Sequence, residues 1–393
     1  MRSLPKKRIA LWHVIKRECF RLTSNPLYLF AIIIAPLFSY VFFTSLMRKG
    51  LPTDLPVGIV DMDRSSTSRN IINNLDAFQQ TDIKYKYASF SEARTAVQRG
   101  DIYGFFYLPP QLSHDALSSK QPTISFYTNN SYLIAGSLLF RDMKQMSELA
   151  SGAVGRATLY AKGATEKQAM AILQPIVINT FPIGNPTLNY SVYLNNIIIP
   201  GILQIMIFMI TVYSIGVEIK ERTAREWLKT GNRSIYISLA GKLLPQTICF
   251  FIMAFFYNVY LYKYLHFPCQ SGIGSMLLAS FMFILAAQGC GVLMIGVLPT
   301  LRLGLSFASL WGVVSFSISG FSFPADAMHP VLQALANLFP LRHYYLIYVD
   351  QALNGYNMFY SWPSYVALLS FMMLVFLIAN RLKSALIYFK YIP

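Results

Sequence analysis

Charge is scarce in this chain and acid scarcer still: 13% of its 393 residues are charged, with 17 Asp and Glu against 33 Lys and Arg. Cysteine is nearly as rare. The four present are Cys19, Cys249, Cys269 and Cys290, and the segment between residues 47 and 188 has none, which excludes a disulfide framework or thiolate metal spacing there. No Gly-x-x-x-x-Gly-Lys-Ser/Thr loop occurs, since Gly241-Lys242 runs on into Leu243, so these residues do not cradle a nucleotide in the usual way. Internal repeats are also missing. What is abundant is apolar surface: 54% hydrophobic and 15% aromatic residues, at a mean hydropathy of +0.44, exceed what a water-soluble core can bury. A formal charge of +16 could indicate nucleic acid, but the basic residues flank long apolar runs instead of clustering on a polar surface. That pattern belongs to a membrane, and no nucleic-acid partner is expected.

A helix crosses the hydrocarbon with about 20 apolar residues, and six stretches qualify: 26–46, 192–216, 243–263, 275–298, 303–321 and 363–380. The first follows a basic head (Lys6, Lys7, Arg8), yet it is long and lacks a small-x-small cleavage site, so it reads as a retained span. The fifth is interrupted at its outer end by Gly320 and Pro324. Lys and Arg then set the orientation. Lys6, Lys7, Arg8, Lys16, Arg17 and Arg21 lie in the N-terminal amphipathic segment 1–25. Lys220, Arg222, Arg225, Lys229, Arg233 and Lys242 lie in the loop 217–242. Arg302 follows the fourth span, and Arg381, Lys383 and Lys390 occupy the tail 381–393. Six spans put all of them on one side, the cytoplasmic one, with both termini inside and residues 47–190 outside.

The outer segment reads as an α/β domain. Strands are expected at Leu55 to Val60, Ile83 to Tyr87, Ile102 to Leu108 and Thr123 to Tyr127. Asp61-Met-Asp-Arg-Ser-Ser-Thr supplies a turn and cap for a helix carrying Ile71, Ile72 and Leu75, and Ser91 to Gln98 forms another. From Ser131 to about Ile178 the pattern is helical, a long arm ended by Pro182 and Pro186. The fold class is therefore an α-helical polytopic membrane protein of six transmembrane helices with an inserted extracytoplasmic α/β domain. Residues 322–360 are neither a span nor an ordinary loop. Ser319-Gly-Phe-Ser-Phe-Pro, an amphipathic stretch (Val331, Leu332, Leu335, Leu338) and Phe339-Pro-Leu-Arg-His-Tyr-Tyr suit a re-entrant segment, whose irregular backbone needs a protein cover.

Three groups of residues merit a chemical reading. In the loop 217–242, Glu218, Glu221, Arg222, Arg225, Glu226 and Lys229 recur at helical spacing and lead to Trp227-Leu228. This is either a solvated helix laced by its own ion pairs or a docking helix whose exposed Trp227 and Leu228 enter a partner's groove. Inside the spans stand Asn195, Asn196, Gln204, Gln288, Ser306, Ser309, Ser315 and Ser317, groups that join helices to one another or line a path. His329, Arg342, His343 and Asp350 match no metal-ligand pattern and read as interface anchors, while Asp61 and Asp63 read as turn residues. No catalytic or metal residue is expected. Acidic residues are lacking in spans two to six, which disfavours an ion-coupled carrier, and six spans exceed what a membrane-anchored receptor needs.

Three passages resemble the ABC-2 type permease family. Val57-Gly-Ile-Val-Asp-Met-Asp-Arg-Ser is similar to the opening of the family's outer domain. The loop Glu218 to Leu228 with Gly241-Lys-Leu-Leu-Pro245 is similar to its coupling helix and third span. Ser319 to Pro324, with Met328, Pro330 and Phe339-Pro340, is similar to its outer re-entrant segment. The resemblance implies the membrane subunit of an ATP-binding cassette exporter of hydrophobic or amphipathic cargo, a drug or lipid-like molecule, in the bacterial cell membrane. It implies a dimer with a second permease, and a separate cytosolic ATP-binding subunit that holds the ATP and Mg; none is expected on this chain. A periplasmic membrane-fusion adaptor is a further expected partner. Contacts to the ATPase would come from Glu218, Glu221, Arg225, Glu226, Trp227 and Leu228. Asn195, Asn196, Gln204 and Ser309 would line the path, with Phe316, Phe321 and Phe323 as an outer gate. The chain departs from the family where Thr223-Ala224 replaces Gly-Thr and Gly231 replaces Pro.

Overall fold

The computed structural model of the chain describes residues 4–118 and 120–389. Lys390, counted with the basic flank of the sixth span, lies outside them, as does the side chain of Lys6. The chain divides into two compact units, Lys49–Phe181 and the remainder.

In the larger unit, among the described residues, six helices are long and apolar enough to cross a membrane: Pro26–Leu46, Tyr190–Lys220, Ile235–Tyr264, Ile273–Val297, Leu301–Ile318 and Trp362–Tyr388. In chain order they are the first to sixth spans. A helix Leu4–Ser24 precedes them. The third span starts at Ile235, not at 243, so Gly241 and Lys242 are helix interior and the loop before it is shorter than its charges suggested. A hydropathy window trims a span back to its last apolar residue. A helix, by contrast, continues through a Lys whose charge finds a partner.

The fourth span is the best covered and packs along the sixth. A Cβ on Gly289 would lie 2.9 Å from the Phe371 carbonyl carbon and 3.0 Å from Met372 Cα, so only glycine allows these backbones to come so close. The second span runs beside the fifth, where the Phe316 ring fills the space a side chain on Gly201 would need. The fifth span is buried over 22% of its length, so most of its surface, including Leu310 and Val313, is left for lipid or another protein.

The re-entrant segment is built of two short helices, Pro330–Ala336 and Pro340–Ile347, and a π-helical turn, Tyr348–Leu353. The second is inside the bundle: Leu341 and Ile347 are buried and Tyr344 packs on Phe283 of the fourth span. Protein covers it, as its backbone needs at membrane depth. His329, Arg342, His343 and Asp350 tie this segment together. His329 accepts from the Val331 amide, Arg342 donates to Asn337 and the Ser319 carbonyl, His343 pairs with the Asn337 carbonyl, and Asp350 accepts from Ser361.

The smaller unit holds a four-stranded sheet in the order β2-β1-β3-β4. The strands are β1 (Leu55–Asp61), β2 (Thr81–Lys86), β3 (Gly104–Leu108) and β4 (Ser125–Thr128). β1 is parallel to β2 and β3, and β4 is antiparallel to β3. Alternation sends Val57, Ile59, Phe106 and Leu108 to one face, under helices Ser66–Asp76 and Leu133–Ala161. Val60 and Phe105 go to the other, under helix Phe90–Arg99 with its Ala93 and Ala96. The Asp61 turn behaves as read: its carboxylate accepts from the amides of Asp63 and Arg64 and from the Ser68 hydroxyl, while Ser65 caps the helix through the Ser68 amide. The long arm is two helices, Leu133–Ala161 and Glu166–Leu173, separated by Gly163 at φ 85°. It stops at Leu173, short of Ile178, because Pro175 cannot extend it.

Candidate coupling site

The end of the larger unit that carries the charged loop is organised around one carboxylate. Glu218 lies in the last turn of the second span and is fully buried. Arg17, from the N-terminal helix, grips it in bidentate fashion at 2.7 and 2.9 Å. Arg21, one turn further along, donates to the same carboxylate, as does the Thr223 hydroxyl. Lys242, from the third span and also fully buried, donates to Glu218 at 3.0 Å and to Glu18 at 2.8 Å. Glu18 in turn accepts from Arg17 at 2.9 Å. Partial burial works against the Arg17 charge, and the Glu218 carboxylate outweighs it, so this guanidinium titrates above its ordinary value.

Three cations and two carboxylates thus join the N-terminal helix to the adjoining ends of the second and third spans. Buried charge on this scale is tolerable only because each group is paired and hydrogen-bonded. The loop itself is a short helix, Ala224–Thr230, entered through Arg222 at φ 60° and left through Asn232 and Arg233, which are also left-handed. Gly231 is held against Ser238 at the start of the third span.

Trp227 and Leu228 are buried, which corrects the expectation that they are exposed. The reason is Lys242: its ammonium lies 4.7 Å above the Trp227 ring, so the indole packs against the buried cation of the cluster. Glu218 is likewise internal. Glu221, Arg225 and Glu226 are exposed, and Arg225 also reaches the Ile387 carbonyl at the end of the sixth span. The docking segment is therefore two-sided. Glu218, Trp227 and Leu228 fix it to the bundle, Arg225 adds its bond to the sixth span, and Glu221 and Glu226 point away. Sequence counted Arg17, Arg21 and Lys242 only as topology signals and passed over Glu18. A usable signal was present: Arg17, Glu18 and Arg21 share one helical face, and a Glu closes an otherwise apolar span.

The residues expected along a path divide in a similar way. Asn195, Asn196 and Gln204 are buried between helices of this chain. Tyr257 donates to the Asn195 carbonyl, Tyr262 to the Asn196 side chain, and Gln204 to Ser315 of the fifth span. They join helices, although Asn195 Oδ1 and Gln204 Oε1 accept no bond from protein. Ser309 is half-buried and bonds back to Ser306 in its own helix. Phe316 rests on Gly201, Phe321 lies beside Tyr193, whose hydroxyl donates to its carbonyl, and Phe323 is 53% exposed.

These features define a multi-pass membrane protein with an inserted α/β unit and a charged loop locked to the ends of its second and third spans. Residues 26–381 match the family described as ABC-2 family transporter protein, and the chain belongs to it. It is an ABC-2 transporter permease, a transport subunit whose family implies an ATP-binding partner. No curated protein and no solved structure matches the chain.

Proposed function

We propose that this permease works in an ATP-driven exporter that carries hydrophobic or amphipathic cargo, a drug or lipid-like molecule, out of a bacterial cytoplasmic membrane. Both termini face the cytoplasm. Two permeases, identical or different, pair with two ATP-binding subunits that hold ATP and Mg, and the inserted α/β unit, on the outer side, extends the route or receives a periplasmic adaptor. The observation that carries this reading is the two-sided loop helix. Glu221, Arg225 and Glu226 offer charge to a partner, while Trp227 and the Glu218 cluster beneath them grip the second and third spans and the N-terminal helix. A push on the exposed side reaches both spans at once, because a packed, fully paired cluster moves as a body and does not deform piecemeal. The path is assigned to the second and fifth spans, with Ser309, Phe316, Phe321 and Phe323 towards its lumen and outer end. The unfilled acceptors of Asn195 and Gln204 are available to it when the helices part.

The test is co-purification of ATPase activity with the chain in lipid, comparing the native protein with Glu221→Arg and Glu226→Arg. Both side chains are exposed, so reversal leaves the fold intact and removes only the partner contact. Association and ATPase activity should fall at least tenfold. A well-folded native protein that never carries an ATPase would sink the exporter reading and return an ion-coupled carrier to first place.

A further inference from the structure

The inserted α/β unit contains a cleft of about 1170 Å³, somewhat above the usual range for small-molecule sites. One wall is the exposed face of helix Ser66–Asp76, where Thr67, Asn70 and Asn74 follow one another at helical spacing. The opposite wall is helix Leu133–Ala161, which presents Gln145, Leu149, Gly152 and Ala153. Helix Glu166–Leu173 closes the third side with Met170 and Leu173. The floor is the core itself, through buried Ile71 and Met146.

Two features indicate a site and not a packing fault. The first is that the long helix becomes small where it borders the cleft: a Cβ built on Gly152 meets nothing within 4 Å, so the space there is open and not filled from any other side. The second is that large apolar side chains border it unprotected, Leu149 at 56%, Met170 at 43% and Leu173 at 36% exposure, facing a wall of amides. A folded unit that leaves such residues uncovered beside hydrogen-bonding groups is shaped for something amphipathic. The charges select further. Glu148 and Arg156, opposite in sign, border the cleft on one helix, eight residues and so about 12 Å apart, and Glu148 already has Lys144 at 3.9 Å. An ion of either sign would gain one partner and meet one like charge, while losing water to a mainly apolar lining.

We propose that this cleft binds an amphipathic small molecule without net charge, its polar end on the Asn70 and Asn74 amides and its apolar body against Leu149 and Leu173. The binding stands independently of the exporter reading; only the cleft's place as a station on the export route rests on that reading.

All four Trp residues lie outside residues 49–181, so Gln174→Trp, at the mouth of the cleft, is a local reporter in the full chain. The chain is held in phosphatidylcholine nanodiscs and titrated, below micellar concentrations, with three eight-carbon amphiphiles: octyl glucoside, octyl sulfate and octyltrimethylammonium. The expected result is a saturable blue shift of the added Trp with octyl glucoside, at a dissociation constant at least tenfold below those of the two ions. Adding Gly152→Leu, which grows into open space on one wall, or Asn74→Phe on the other, should weaken it at least tenfold. Each changes a residue whose side chain supports no core contact, so at least one variant folds. The absence of a saturable shift overturns the proposal. So does a shift unchanged by both filling variants, which would come from the bilayer, and so does a preference for either ion. Because no ATPase subunit is present, a failure here leaves the exporter reading untouched, and loss of ATPase association leaves this one untouched.

Discussion

Replacing Glu218 by Gln tests the keystone of the charged cluster. The substitution keeps shape and removes one negative charge from a group of three cations and two carboxylates. Arg17 and Lys242 retain Glu18, at 2.9 and 2.8 Å, but Arg21 loses its acidic partner in the cluster. Removing one member of a buried ion pair costs about 3–5 kcal/mol, because the partner charge stays buried without compensation. At about 2 °C or more per kcal/mol for a chain of this size, the apparent melting temperature should fall by roughly 6–10 °C. The assay is thermal unfolding in nanodiscs at a fixed scan rate, followed by intrinsic fluorescence, since buried Trp227 sits on the cluster. Lys242→Met alone should cost a similar amount. The double variant Glu218→Gln with Lys242→Met should lose clearly less than the sum, because the second change removes a charge the first left unpaired. If Glu218→Gln melts like the native chain, or if the two changes simply add, then the cluster does not hold the spans and the lever argument fails with it.

Two further outcomes follow from packing and titration. Gly289→Leu should separate the fourth and sixth spans and destabilise the larger unit by about 1–3 kcal/mol or more, the usual cost of overpacking, read as a lowered melting temperature in the same assay. In the smaller unit Asp142 is 1% exposed, and burial raises its pKa while Arg141 and the Thr81 hydroxyl offset part of the rise. The folded unit therefore takes up this proton before the unfolded chain does. Its contribution to stability is greatest below the ordinary carboxylate value and is lost as pH rises through the raised one. Hydrogen exchange of the strand Thr81–Lys86, with rates corrected for intrinsic pH dependence, should show protection increasing on acidification from neutral pH. Asp142→Asn should flatten that slope; an unchanged slope would assign it to other groups.

Much of this architecture was legible without coordinates because it rests on local chemistry. Segments such as Pro26–Leu46 and Ile273–Val297 are too apolar to be stable in water, and a helix is the one local structure that pairs its own backbone in lipid. The β-α alternation of the inserted unit was readable for a similar reason. Val57, Ile59 and Val60 carry the pattern of a strand covered on both faces, and Asp61 and Ser65 announce the turn and cap. The site was less legible. Trp227 among charges looks like a surface residue in any window of the sequence, and only the arrival of Lys242 from the third span and Arg17 from the N-terminal helix makes its position an interior one.

By itself, then, the amino-acid sequence determined the number of spans, the α/β character of the insert and the location of the charged loop, since each depends on residues within a turn or two of one another. Only the tertiary structure decided which of the loop's residues face outward and which amides join helices. It also decided that helices 66–76, 133–161 and 166–173 enclose a cleft. Those facts depend on residues far apart in the chain, such as Glu218 with Arg17, Gln204 with Ser315, and Asn74 and Leu149 on two walls of one cleft, and such long-range proximity leaves no periodicity for a sequence to display.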